Sequence, residues 1–117
     1  MLLAVGCDLK KKPVATSYTN GMLGTANING TAYAVALKNN FAYVTDNQNN
    51  RLNVINVSDP NKPSILTTIN IQGQAHGICI SGNYAYVAHS GGLDIVDISN
   101  LATPTRIGSV NTVPYYL

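Results

Sequence analysis

The sequence has no glutamate and no tryptophan, one phenylalanine, and charged residues at only 10% of 117 positions. So little charge argues against a disordered chain and against a coiled coil, both of which draw on charged residues. Cysteine is almost as scarce, with Cys7 and Cys79 alone. Neither has a second cysteine or a histidine at ligand spacing, so they form no metal pattern. One pair leaves room for a Cys7–Cys79 bond but makes no disulfide scaffold. Long apolar runs are missing too, and no stretch reaches the ~18 residues of a transmembrane helix. The net charge is only +2, and Lys10, Lys11 and Lys12, set against Asp8, supply it. In the rest of the chain Lys38, Arg51, Lys62 and Arg106 balance Asp46, Asp59, Asp94 and Asp97. A nucleic-acid partner needs a basic face to neutralise phosphates, and there is none.

What is present suits strands. Apolar residues make up 45% of the chain, and valine, isoleucine, threonine, tyrosine and asparagine are frequent. That mix belongs to extended segments joined by tight turns. The length fits one ordinary domain. No segment shows helical periodicity over a useful length.

The chain contains a repeat. Asn83 to Ser99 holds Tyr-Ala-Tyr-Val-Ala-His, a Ser-Gly-Gly turn and Leu-Asp-Ile-Val-Asp-Ile-Ser; Asn40 to Ser58 is an earlier copy. Tyr43 aligns with Tyr86 at an offset of 43, and Asn56 with Asp97 at 41, because the loop between is two residues shorter in the second copy. Pro63 and Pro104 keep the offset of 41. A period of this size marks an array of one supersecondary unit. Each copy predicts four strands: 34–37, 41–45, 52–57 and 64–71, then 77–80, 84–88, 93–98 and 105–110. Asn39-Asn40 and Gly82-Asn83 suit two-residue hairpin turns with positive φ. Ser58-Asp59 and Ser99-Asn100 can bond their own backbone after the third strand. Pro63 and Pro104 open the fourth, where a sheet edge tolerates a missing N–H.

Four antiparallel strands per unit of ~40–50 residues describe a β-propeller blade. Leu93-Asp94-Ile95-Val96-Asp97 resembles the core of the LVIVD repeat family, and Gly82 to Ala88 is similar to that family's preceding strand. Tyr43-Val44-Thr45-Asp46 also resembles the related YVTN repeat. The resemblance implies an all-β fold, a partial propeller of about two four-stranded blades, and an exported or surface-bound protein with no assigned reaction. A closed propeller needs ~4–8 blades, so the chain reads as truncated. The expected divisions are 1–13, the end of a signal plus a spacer; 14–30, a closing strand and loop; 31–73 and 74–112, the two blades; and 113–117, the start of a third copy. Val14–Tyr18, after Lys12-Pro13, looks like the strand that completes a last blade.

Met1 to Cys7 resembles the end of a bacterial lipoprotein signal: an apolar run, a small residue, then a cysteine that receives lipid. Ala4 departs from the usual leucine, and a full signal needs a basic start and ~7–15 apolar residues. The expectation is a lipid on Cys7, a membrane partner through that anchor, and an extracytoplasmic location. The plainer alternative is an apolar N-terminal tag.

Candidate chemistry is sparse. If Gly82-Asn83 is a two-residue turn, partners across that hairpin sum to 165 and His76 faces His89. The same arithmetic pairs Tyr33 with Asp46. His76, His89 and Asp46 would then share one end of their blades, where imidazoles and a carboxylate could hold a transition metal. The blander reading makes them partly exposed loop residues. Asp46 to Asn50 lacks the glycine and closing glutamate of a calcium loop. Asp94 and Asp97 point to opposite faces of one strand, so they are no acid–base pair, and Asp97 bonds the turn that follows. Ser81 and Ser90 have no nucleophile-elbow context. Cys79 reads as a buried structural thiol, and Tyr43, Tyr84 and Tyr86 as packing between blades. No catalytic group and no required cofactor emerge. The reading is a binding or scaffold module with a protein or surface glycan as partner, prone to self-associate because each blade depends on a neighbour. The alternative is a piece of a lactonase- or dehydrogenase-like propeller enzyme whose catalytic residues lie in other blades.

Overall fold

The computed structural model describes residues 21–112. Cys7, Val14–Tyr18 and the proposed third copy at 113–117 lie outside these residues. Eight strands follow in order: β1 (Ala32–Lys38), β2 (Phe41–Asp46), β3 (Arg51–Asn56), β4 (Ser64–Asn70), β5 (Ala75–Ser81), β6 (Tyr84–His89), β7 (Gly92–Asp97) and β8 (Thr105–Asn111). They form two antiparallel four-stranded sheets, β1-β2-β3-β4 and β5-β6-β7-β8. These are the two expected blades, and no helix occurs among the described residues.

Local chemistry sets the hairpins. Asn39 and Gly82 take φ of 55° and 58° as the first residue of their two-residue turns. Asparagine and glycine tolerate that backbone better than other residues. The turns pair Lys38 with Phe41 and Ser81 with Tyr84. After β3, Asn56 Oδ1 accepts from the Ser58 N–H (2.9 Å) and hydroxyl (2.8 Å). Asp97 Oδ1 does the same for Ser99, at 2.9 and 2.6 Å. An acceptor oxygen is all the turn requires, so asparagine and aspartate interchange there.

The core lies between the sheets. Tyr43, Leu52, Val54 and Ile69 of blade 1 meet Ala85, Val87 and Val96 of blade 2, and all are buried. A smaller cluster covers the opposite face of blade 1, where Ala26 and Ile28 pack with Ala42 and Ile55. Lys38 reaches across to the Gly82 carbonyl. Of the three tyrosines expected between blades, Tyr43 is fully buried there, while Tyr84 is 40% exposed. Tyr84 and Tyr86 sit on the face of blade 2 turned away from blade 1. Cys79 pairs with Tyr86 as expected, but shares that outer face, so it is exposed and not a buried thiol.

Candidate functional site

Asp46 ends β2 and His89 ends β6, with Asp94 of β7 bonded to His89. Partners across β5–β6 sum to 165 from Ser81↔Tyr84 to Gly77↔Ala88, then shift, so that His89 pairs with Ala75. A bulge at His76 causes the shift. The same irregularity in β1–β2 pairs Asp46 with Ala32 instead of Tyr33. The expected facing of His76 and His89, and of Tyr33 and Asp46, is therefore corrected by one residue in each blade. Bulges re-aim side chains in this way. Thr45 stabilises the shifted backbone: its hydroxyl accepts the Ala34 N–H (2.9 Å) and donates to the His76 carbonyl (3.1 Å). The displaced rings of Tyr33 and His76 meet edge to face, with centroids 5.2 Å apart.

Asp46 is fully buried at the end of β2. Burial alone pushes its carboxyl up, but hydrogen bonds outweigh it. Oδ1 accepts the backbone N–H groups of Thr31 (3.0 Å), Gln48 (3.0 Å) and Asn49 (3.2 Å). Oδ2 accepts the Asn49 side-chain amide at 2.9 Å and Arg51 Nε at 3.1 Å. The bonds from Asn49, Thr31 and Gln48 hold the carboxyl at about 2. The Arg51 guanidinium also donates to the Ile28 carbonyl at 2.6 Å. Asp46 thus ties the entering segment to the β2–β3 turn.

Blade 2 builds a different knot at the corresponding place. His89, equivalent to Asp46, is buried. Its Nδ1 accepts the Gly91 N–H at 3.0 Å, which leaves Nε2 as the donor to Asp94 Oδ1, also at 3.0 Å. Asp94 is fully buried, which raises its carboxyl. Bonds from the Ser109 hydroxyl (2.6 Å), the Gln72 N–H (3.0 Å) and His89 overcome that and bring it below the usual range. Arg106 stands 3.7 Å away. Ser109 donates to the carboxylate and not to the imidazole, so the trio does not activate a nucleophile. Asn53 occupies the position of Asp94 in blade 1, and neither of its buried side-chain atoms has a hydrogen-bond partner.

His76, His89 and Asp46 are consequently not brought together. His76 lies beside Tyr33, and both nitrogens of His89 and both oxygens of Asp46 are engaged. Among the described residues no group of three or more His, Cys, Asp or Glu is placed to hold a metal ion. The residue that sequence reasoning passed over is Asp94. Its signal was an ionisable group on the inward side of an apolar central strand, where a carboxylate must find donors.

The family model described as LVIVD repeat matches residues 29–70 and 72–112. No curated protein matches the chain. Among solved structures, a functionally unknown protein from Desulfotomaculum acetoxidans is similar, with 19% identity and a TM-score of 0.64 over 71% of this chain. The chain spans 28% of the length of that protein. At such identity the likeness shows the fold alone. Two adjoining repeat matches, each falling on one four-stranded sheet, cover most of the sequence, and the chain belongs to the LVIVD repeat family.

Proposed function

We propose that the chain is part of an extracytoplasmic LVIVD-type propeller that acts as a binding or scaffold module, with a protein or surface glycan as its partner. One observation carries the reading. Asp46, His89 and Asp94 spend their hydrogen-bonding capacity on neighbouring backbone and side chains, while uncharged Tyr33 and Tyr84 stand open to solvent. Exposed tyrosine is contact chemistry, since it offers a flat apolar ring with one polar end. No cofactor is needed for such a role.

The test places the purified chain on a biosensor against surface polysaccharides and envelope proteins, with lactone hydrolysis and alcohol oxidation assayed in parallel. Saturable binding without turnover supports the module. Because the propeller-enzyme reading places its catalytic residues in other blades, the same assays are run with those blades joined to the chain, and turnover there would favour the enzyme. We further propose lipid attachment at Cys7. With a full signal sequence restored upstream, Cys7→Ser should move the protein from the membrane pellet to the supernatant. One acyl chain binds only marginally, so a second membrane signal would accompany it. Unchanged pelleting of the serine variant would remove the anchor.

A further inference from the structure

Tyr33 and His76 are one position seen twice, since an offset of 43 relates them. Each belongs to the start of its blade's first strand, where the register of β1–β2 and of β5–β6 shifts. Between the sheets β1 lies closest to β5, and no such approach joins β4 to β8. The blades therefore fan outward from their first strands, which places β1 and β5 beside the central channel of a propeller. A bulge on this inner strand turns one side chain per blade out of the ladder. Here the two turned rings meet edge to face at 5.2 Å. The buried Thr45 hydroxyl holds both bulges through Ala34 and the His76 carbonyl. Blade 2 has Ala88 in the place of Thr45, so this junction carries a lock that the repeat does not require.

A missing neighbour does not explain why these rings are accessible. Tyr33 has the following blade in place and is 61% exposed. His76 has the preceding blade in place and is half-buried, with Tyr33 against it. A blade on either side thus leaves the position reachable from the channel. The groups around the rings select the ligand. The starts of β1 and β5 share their end of the blades with the β2–β3 turn, the linker between the sheets and the β6–β7 turn. Thr31, Gln48, Gln72, Gln74 and Ser90 are exposed there, and all are uncharged groups that donate and accept hydrogen bonds. Arg51 is taken up by Asp46 and the Ile28 carbonyl, and Asp94 is buried on His89. Lys38, Asp59, Lys62 and Asp97 belong to the opposite end. A flat aromatic surface ringed by neutral hydrogen-bonding groups fits a sugar ring, whose C–H face stacks on the aromatic while its hydroxyls pair at the edge. A phosphate, sulfate or carboxylate would lack the cation that strengthens its hydrogen bonds. A protein partner would want a dry apolar centre, which two rings set among amides do not supply.

We propose that Tyr33 and His76 form a binding site for a neutral carbohydrate at the channel end of the β1–β5 junction. The proposal rests on the binding-module reading and names the ligand class of that module. Tyr33 is the stacking surface, His76 its edge-on support and second hydrogen-bonding ring, and Thr45 the residue that positions both.

NMR titration of the full chain with cellohexaose, maltohexaose, chitohexaose and mannohexaose tests this. The ring protons of Tyr33 and His76 are followed to about 20 mM sugar, a span that covers the millimolar affinity of so small a contact. At least one of the four should saturate, with shifts confined to that end of the blades. A uronic-acid or sulfated oligosaccharide of the same length should bind about tenfold more weakly or worse. Tyr33→Ala should weaken binding about tenfold or more, while Tyr33→Phe, which keeps the ring, should weaken it by less than about threefold. Tyr84→Ala, at the other end of blade 2, should change nothing. Should Tyr33→Ala fail to fold by circular dichroism, His76→Ala replaces it, with a loss of about threefold or more expected. Stronger binding of the anionic sugar, or saturation that survives Tyr33→Ala, would overturn the site and leave the module reading standing. Binding of an envelope protein without binding of any oligosaccharide would overturn the ligand class alone. No binding of either kind would remove both.

Discussion

Replacing Asp46 by asparagine keeps the shape and removes the charge. It is the sharpest test of how blade 1 is tied to the segment that enters it. The carboxylate accepts five hydrogen bonds, three from backbone N–H groups and two from Asn49 and Arg51 side chains. An amide has one acceptor oxygen, so its NH2 must face Asn49 and Arg51 or the backbone donors. Each stranded buried donor costs about 1–3 kcal/mol. Arg51 is partly exposed and can turn to water, so the net loss should be about 2–4 kcal/mol. That is a large share of the ~5–15 kcal/mol that hold an ordinary domain. The pH dependence gives a second reading. The folded carboxyl is lowered from 3.8 to about 2, so its stabilisation is fully present above pH 4 and disappears as pH falls through 2. The shift corresponds to about 2 kcal/mol. Urea unfolding, followed by circular dichroism at concentrations where the midpoint no longer depends on protein, measures both. The gap between wild type and Asp46→Asn should narrow between pH 4 and 2. A gap under about 0.5 kcal/mol at neutral pH, or one that stays constant on acidification, would refute the account.

His89→Ala should destabilise by about 2–3 kcal/mol by stripping Asp94 of a donor in the core, while His76→Ala, at the partly exposed bulge, should stay within about 1 kcal/mol; comparable losses in denaturant melts would contradict the separate roles. Gly92 has φ of 150°, and a Cβ there would lie 1.9 Å from the Val110 carbonyl oxygen, whereas at Gly77 it would sit 3.9 Å from Ala88. Gly92→Ala should therefore cost about 2 kcal/mol or more and expose β8 amides to hydrogen exchange, while Gly77→Ala should be nearly neutral. Asn53→Val should hold or raise stability by about 1 kcal/mol, because it removes two unpaired buried polar atoms; a clear drop in melting temperature would mean that those atoms are satisfied in solution.

What the sequence by itself determined is the set of blades and their hairpins. Two copies of a four-strand pattern, with Asn39 and Gly82 at the turns and Asn56 and Asp97 after the third strands, specify strands and pairing. Each of those signals acts between residues a few positions apart. The bulges at Tyr33 and His76 were not legible, because the group that holds them, the Thr45 hydroxyl, acts across strands and across blades. One extra residue there was enough to dissolve the expected His76–His89 pair. Alternation likewise separated the two faces of β5 and β6 but did not say which one a neighbour would cover. Tyr43 and Tyr86 are equivalent in sequence, yet only Tyr43 is fully buried, and Cys79 lies in the open beside Tyr86. Asp94 shows the same division. Its inward position follows from the period of a strand, but its donors come from Gln72 and Ser109, 22 and 15 residues away. Only the closure of β8 onto β7, and of the linker onto blade 2, brings them within bonding distance.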